Sequence, residues 1–294
     1  MLRDQGIVFA NKSLVSCVTV TEGRVDLLGA AIRGYLSQTY SPKEMIIVSQ
    51  GTKEQNDNIR KMIEPHEDIH FCEAPPTLTL GAMRNLSVEL AHGDIICQWD
   101  DDDFYHPTRV NTQYRHLRNS VACLYTSYLK YFADTRKLYM IDHLGGTDDY
   151  LDVLKQQPHK AFLCGSLMFN KSCFHKSRNI LYPERGSQSD TEEDLNVLQK
   201  LMKMGDVVGI RTPYEYCYVF HGGNVYDRKH HEMLFHKKKI GTPEELWNIK
   251  SNVELLLNIA QTSEVDVCTS KIIDFDFETT IEEKVVYRYS PSWK

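Results

Sequence analysis

Between residues 14 and 99 the hydrophobic pattern switches repeatedly between two periods, and few folds accommodate that switching. Leu14 to Thr21 is a compact, β-branched run. Val25 to Ser37 carries apolar residues at helical spacing (Leu27, Leu28, Ala31, Ile32, Tyr35), and Met45 to Val48 is again a short apolar run. The alternation continues with a polar helix over Gln55 to Ile63 after the Gly51-Thr52 turn, a strand over Ile69 to Cys72, a helix over Leu80 to Leu90 and a fourth strand over Asp94 to Trp99. Short, mostly apolar or β-branched strands separated by helices belong to a parallel sheet covered on both faces. The expected class is therefore α/β: a Rossmann-like, mostly parallel central sheet flanked by helices.

The fourth strand ends in four consecutive carboxylates, Asp100 to Asp103. In open parallel sheets ligands bind in the crevice at the carboxyl ends of the strands, which is where this run falls. Four adjacent aspartates repel one another at neutral pH, and a buried strand end is a poor place for unpaired negative charge. The run is either a solvated acidic turn or the seat of a cation. Along an extended segment Asp100 and Asp102 face one way, and Asp101 and Asp103 the other.

Composition narrows the partners. With 294 residues, 41% of them hydrophobic and 25% charged, the chain can bury a sizeable core. A net charge of −6 provides no general field for polyanions, although Lys237, Lys238 and Lys239 lie beside His230, His231 and His236. Nucleic acid is excluded as the main partner on this reading. The three histidines are expected at the surface of a segment able to close over a ligand. No stretch has the roughly 18 apolar residues of a membrane span, and the first residues lack the apolar core of a signal peptide, so a cytoplasmic location is expected. The eight cysteines include no Cys-x-x-Cys pair, which favours reduced thiols and disfavours structural zinc.

Beyond Pro107 the regular alternation stops. A helix is expected over Thr108 to Arg118, paired strands over Ala122 to Phe132 and Lys137 to His143, a strand over Leu163 to Asn170, and a helix over Thr191 to Met204 stopped by Gly205. Thr242-Pro243-Glu244-Glu245 has the form of a capping box, opening a helix through Ala260. The expected division is one domain over residues 1–228, with halves at about 1–107 and 108–228, followed by a C-terminal helical appendage and extended tail over residues 229–294.

Five segments in this order carry a family resemblance: Val18-Thr19-Val20-Thr21-Glu22; Ala31 through Tyr40; Ile46-Ile47-Val48; Gly81-Ala82-Met83-Arg84-Asn85; and Gly93-Asp94-Ile95-Ile96 with the aspartates. Together they resemble the inverting family-2 glycosyltransferases with the GT-A fold, over about residues 14 to 225. The resemblance implies a nucleotide-diphosphate sugar donor held by the N-terminal β-α-β units, and manganese or magnesium on an Asp-x-Asp motif. It also implies an acceptor in the C-terminal half. It maps the metal onto Asp102 and the donor's ribose side onto Asp100, with Asp101 as the alternative and Asp103 structural. Ser189 through Leu195 resembles the family's acidic motif at a helix start, which assigns the base to Asp194, with Glu193 next. His221, in Val219 through Asn224, is implied as a further metal ligand.

Thr21, Glu22 and Arg24 fall where the family contacts the nucleotide, and Arg84 where it faces base or diphosphate. Gln50 stands where the family has an acidic pair. A carboxylate there accepts from a uracil or thymine ring N–H; the Gln50 amide can accept or donate. A uridine diphosphate sugar is the first expectation, with guanosine and thymidine diphosphate sugars behind it. Two rival classes are a nucleotidyltransferase acting on sugar phosphates and a non-catalytic nucleotide- or sugar-binding module. Against the first, Thr21-Glu22-Gly23-Arg24 is a poor glycine-rich phosphate loop.

Overall fold

The computed structural model describes residues 12–144, 157–174, 181–185, 192–237, 239–240, 250–261, 266–267 and 284–290. The alternating half forms as expected: β1 (Val15–Thr21), α1 (Val25–Leu36), β2 (Lys43–Ser49), α2 (Lys53–Ile63), β3 (Ile69–Glu73), α3 (Leu80–Leu90) and β4 (Ile95–Gln98). Thr52 caps α2 in a full capping box with Gln55, and the Thr79 hydroxyl caps α3. Strands β3, β2, β1 and β4 lie side by side and parallel.

Alternate residues of these strands feed two separate cores. Val15, Cys17, Met45, Ile47 and Cys97 pack on one face, and Val18, Val20, Ile46, Val48 and Ile96 on the other. That two-sided burial is why Met45 to Val48 of β2 and Ile95 to Cys97 of β4 read as apolar runs rather than alternating ones, while β1 buries the small polar residues Ser16, Thr19 and Thr21 as well.

After β5 (Phe104–Tyr105) and α4 (Arg109–Leu117), the run Ala122 to Phe132 is not one strand. It divides at Thr126 into β6 (Ala122–Tyr125) and β7 (Ser127–Phe132). Strand β6 enters the main sheet beside β10 (Val207–Arg211). Strand β7 enters a second sheet, between β8 (Lys137–Asp142) and β11 (Tyr216–Phe220). Thr126 straddles the division: its N–H reaches Ile210 O and its carbonyl accepts from His143 N. The run holds no glycine or proline, and its one polar pair, Thr126-Ser127, is buried, so the change of partner is what reveals the break.

The expected strand Leu163 to Asn170 likewise shortens to β9 (Met168–Asn170), preceded by a 3₁₀ turn over Cys164–Ser166. Gly165 explains it. A side chain there would meet the Asp100 carboxylate and the Tyr216 hydroxyl, each at 2.8 Å, so this backbone is bent in against the aspartate run.

Helix α5 (Glu193–Met204) covers the α3 face, and α6 (Arg228–Lys237) follows β11. The short β12 (Lys239–Ile240) precedes α7 (Lys250–Ala260), β13 (Asp266–Val267) and β14 (Lys284–Tyr289). Among the described residues the main sheet has eight strands, ordered β14-β10-β6-β9-β4-β1-β2-β3. The C-terminal helix buries Val253, Leu256 and Leu257 with Leu129, Leu138 and Val219 of the second sheet. Its last carbonyls, Ile259 O and Ala260 O, accept from the Arg33 guanidinium of α1. Strand β14 pairs antiparallel with β10 at the sheet edge. Thr191 and the capping-box residues 242–245 lie outside the described residues. The seven described cysteines are free thiols, and no helix among the described residues is long and apolar enough to cross a membrane.

Candidate active site

The carboxyl ends of β1, β2 and β4 deliver three loops to one cavity of about 650 Å³, which the start of α5 and the loop after β11 complete. Thr21, Glu22, Arg24, Gln50, Arg84, Asp100, Asp101, Asp102, Glu193 and Asp194 all line it. His221 joins through Asp102, its Nε2 lying 3.1 Å from Asp102 Oδ2.

The acidic run is not a solvated turn. Asp101 and Asp103 are 2% and 1% exposed, while Asp100 and Asp102 are partly open to the cavity, so burial alternates as the extended reading expects. Each carboxylate has its own partner. Arg24 grips Asp101 with two nitrogens and reaches Asp102 Oδ2 with a third at 3.0 Å. Arg84 Nη2 donates to Asp100 at 3.0 Å. Asp103 accepts from Val219 N at 2.8 Å and from the Tyr216 hydroxyl, which also reaches Asp100. Every carboxylate of the run therefore meets a guanidinium or a hydrogen-bond donor of the protein.

Local backbone explains why Arg24 is there. The Thr21 hydroxyl accepts from Gly23 N and Arg24 N, folding the β1–α1 loop. Gly23 has φ +84, and its position would put a side chain 2.7 Å from the Gly51 Cα. Only glycine lets the two loops touch and aim Arg24 across the strand ends.

The charges are tuned unequally. Burial first, then the neighbouring Asp102 charge, pushes Asp101 up to about 7 against the pull of Arg24. Burial alone would raise Asp102 too, but the His221 hydrogen bond and the Arg24 charge outweigh it and hold Asp102 below the ordinary carboxylate range. Asp102 is thus held as an anion, whereas Asp101 and Asp103 are pushed toward the protonated form.

At the α5 start, Glu193 and Asp194 separate into different environments. Glu193 is buried and accepts from Arg84 Nε at 2.8 Å, so Arg84 bridges it to Asp100. Arg84 is itself buried between these two carboxylates. Asp194 stays partly accessible, with its carboxylate 2.6 Å from Leu195 N. Burial, then the adjacent Glu193 charge, pushes Asp194 up to about 7, with Arg84 opposing.

Gln50 Nε2 donates to Pro75 O and Leu78 O, both at 2.8 Å. Because both partners are carbonyls, the amide nitrogen must face them, and the side-chain oxygen is left as an acceptor.

The expectation for the late histidines is corrected at one position. His231 is buried, and its Nδ1 lies 2.8 Å from the Nζ of Lys130. Burial pushes Lys130 down to about 7 and His231 to about 3. Both line the cavity. Sequence reasoning passed over Lys130 and Tyr216. The available signal was a lysine within the aromatic run Ser127 to Phe132, and a tyrosine between Glu215 and Cys217 in an otherwise apolar strand.

Comparison with known proteins bears on the family and the fold. The family described as "Glycosyl transferase family 2" matches residues 16–177. The UDP-Glc:alpha-D-GlcNAc-diphosphoundecaprenol beta-1,3-glucosyltransferase WfaP of Escherichia coli is 23% identical over 225 residues, covering 75% of this chain and 83% of that protein. The glucosyl-dolichyl phosphate glucuronosyltransferase of Haloferax volcanii is 27% identical over 100 residues, 34% of this chain, and the chain spans only 32% of its length. Among solved structures, Staphylococcus aureus TarS 1-349 in complex with UDP-GlcNAc superposes with a TM-score of 0.53 at 12% identity, covering 83% of this chain and 66% of that one. The Pyrobaculum calidifontis mannosyltransferase PcManGT, with GDP-Man and Mn2+, gives 0.52 at 17% identity over 86% and 74%. The structural likeness is one of fold, the GT-A arrangement of a mostly parallel sheet with helices on both faces. With more than half its length matched by the family's sequence pattern, the chain belongs to glycosyl transferase family 2.

Proposed function

We propose that the protein is a metal-dependent, inverting glycosyltransferase that moves a sugar from a nucleotide-diphosphate sugar, a UDP-sugar in the first instance, to an acceptor hydroxyl. The observation that carries this reading is one cavity lined by a firmly anionic Asp102 paired with His221 and, separately, by an Asp194 whose proton affinity is raised.

The residues fit a hard divalent cation. Two ligands at right angles on an ion with bonds of ~2.1 Å lie about 3 Å apart, and the Asp102 oxygen and His221 nitrogen are 3.1 Å apart. Asp102 and His221 would hold the manganese or magnesium ion, which when bound stabilises negative charge on the departing diphosphate. Arg24 adds a guanidinium facing the same cavity. Asp100, steadied by Arg84, Gln98 and Tyr216, is the carboxylate offered to the donor's ribose.

Gln50 supports the donor choice. Its free acceptor oxygen matches the ring N–H of uracil, thymine or guanine, and matches neither cytosine nor adenine, whose corresponding ring nitrogens are acceptors. The donors named for WfaP, TarS and PcManGT, which are UDP-Glc, UDP-GlcNAc and GDP-Man, lie within that set.

Asp194 is the base. A carboxylate with a proton affinity near neutrality can take the acceptor proton and release it again at physiological pH. The acceptor oxygen bonds to the anomeric carbon as the bond to the diphosphate oxygen breaks. The electron pair leaves with the diphosphate and the proton passes to Asp194. Glu193 positions the site: its ion pair with Arg84 ties the base-bearing helix to the aspartate run.

Calorimetric titration with UDP, with and without manganese, alongside a donor-hydrolysis assay, tests the reading. Wild-type protein is expected to bind UDP more tightly with manganese, and Asp102→Asn to lose that gain and turnover together. Activity surviving exhaustive chelation, or wild-type turnover by Asp102→Asn, would refute it.

A further inference from the structure

A second group of ligating side chains lies at the opposite ends of the strands that bear the donor cavity. Glu44 is the second residue of β2, whose other end is Ser49; at ~3.3 Å per residue the two are about 16 Å apart along the strand. His70 is the second residue of β3, and His92 lies in the turn between α3 and β4. Three elements distant in sequence thus bring a carboxylate and two imidazoles together, with ligand atoms all within 4.8 Å of one another. No other group of three such donors this close occurs among the described residues.

The carboxylate is built in place. Glu44 is buried, and its Oε1 accepts from the Ser16 hydroxyl at 2.5 Å, His92 N at 2.6 Å and Gly93 N at 3.2 Å. Those donors orient Glu44 and leave Oε2 turned to the histidines. His92 Nδ1 lies 2.9 Å from Oε2, and His70 Nε2 3.5 Å. Gly93 makes the arrangement possible, since a side chain there would strike Leu14 O at 2.5 Å and Ser16 Oγ at 2.6 Å. Its N–H groups could not otherwise come so close. The histidine side chains are 46% and 69% exposed, so the cluster is open to solvent on one side.

We infer that Glu44, His70 and His92 form a binding site for a divalent transition metal, zinc foremost, separate from the donor cavity. Ligands on tetrahedral zinc, with bonds of ~2.0–2.1 Å, lie about 3.3–3.4 Å apart, between the two distances seen here. Two imidazoles and one carboxylate suit zinc, and also copper or nickel, whereas magnesium and calcium prefer oxygen. The open side leaves a fourth position for water. A metal there ties β2, β3 and the turn before β4 together through Glu44, His70 and His92. It binds the folded chain and not the unfolded one, so it raises thermal stability by mass action.

The test uses the full chain after stripping with a chelator, titrated with zinc chloride and separately with magnesium chloride. Calorimetry should give one zinc per chain at this site, and the melting temperature should rise with zinc and not with magnesium. His70→Gln/His92→Gln, two exposed changes that leave the core intact, should abolish that zinc equivalent and the thermal shift, and leave manganese-dependent UDP binding unchanged. Asp102→Asn should retain both zinc effects. The inference is overturned if zinc fails to bind, if the double variant binds it as wild type does, or if Asp102→Asn removes it. The last result would assign the zinc to the donor cavity.

Discussion

Replacing Asp194 by Asn gives opposite effects on stability and turnover, and the structure sets the size of each. The Asp194 carboxyl is raised from 3.8 to about 7. About three pK units at ~1.4 kcal/mol each is roughly 4 kcal/mol if the whole shift counted. The side chain remains partly accessible in an open cavity, which screens it, and a carboxylate in the first turn of α5 gains ~0.3–1 kcal/mol from the helix dipole. A net of about 1–2 kcal/mol is left. The sign follows from linkage: a raised folded pKa means the protonated form favours the native state. That contribution is fully present below the unfolded value near 4 and is lost as pH rises through about 7. Asn, which never ionises, keeps it. Asp194→Asn should therefore melt at or near the wild-type temperature at pH 4 and several degrees higher at pH 8, about 2–4 °C per kcal/mol for a chain of this size. Transfer should fall by the ~10²–10⁴ typical of a lost general base, with UDP and manganese affinity nearly unchanged. Calorimetric melts at the two pH values, beside a transfer assay, read both effects. Near-normal transfer would remove Asp194 as the base. A melting difference equal at pH 4 and pH 8 would show that the carboxyl is not desolvated.

In the wild type, turnover should climb with pH through about 7 as Asp194 loses its proton, and a profile flat from pH 6 to 8 would place the base elsewhere. Arg84→Met strands Asp100 and Glu193 without their shared cation. It should cost about 3–5 kcal/mol, read as a lower urea midpoint, and a loss under 1 kcal/mol would mean the pair is effectively solvated. Gln50→Met removes the acceptor oxygen at similar side-chain length, together with the two hydrogen bonds to Pro75 O and Leu78 O, ~0.5–1.5 kcal/mol each. It should narrow the preference for UDP over ADP in competitive titration, and an unchanged ratio would remove Gln50 from the base site.

The parallel half of the fold was legible because its signals are local. A strand buried on both faces is mostly apolar or β-branched, a helix beside it repeats at 3.6, and the two patterns locate the carboxyl ends where Asp100 to Asp103 emerge. Nomination of Asp102 and Asp194 required only that carboxylates stand at a strand end and a helix start, beside a resemblance in order.

Tertiary structure decided which charges are paired and which are left to act. Glu193 and Asp194 are adjacent and chemically alike. Arg84, 109 residues from Glu193 in sequence, engages one and leaves the other accessible. The break at Thr126 was hidden because Thr126 and Ser127, though polar, are short and buried between two apolar runs, and what separates those runs is that their partners, β10 and β11, lie in different sheets. Lys130 and His231 were hidden in the same way: each is polar by composition, and burial against the other, with the proton affinities that follow, arises only when β7 and α6 meet. A residue's period and propensity are properties of its neighbours along the chain, whereas its charge state depends on desolvation and on partners within a few ångströms, which the fold alone supplies.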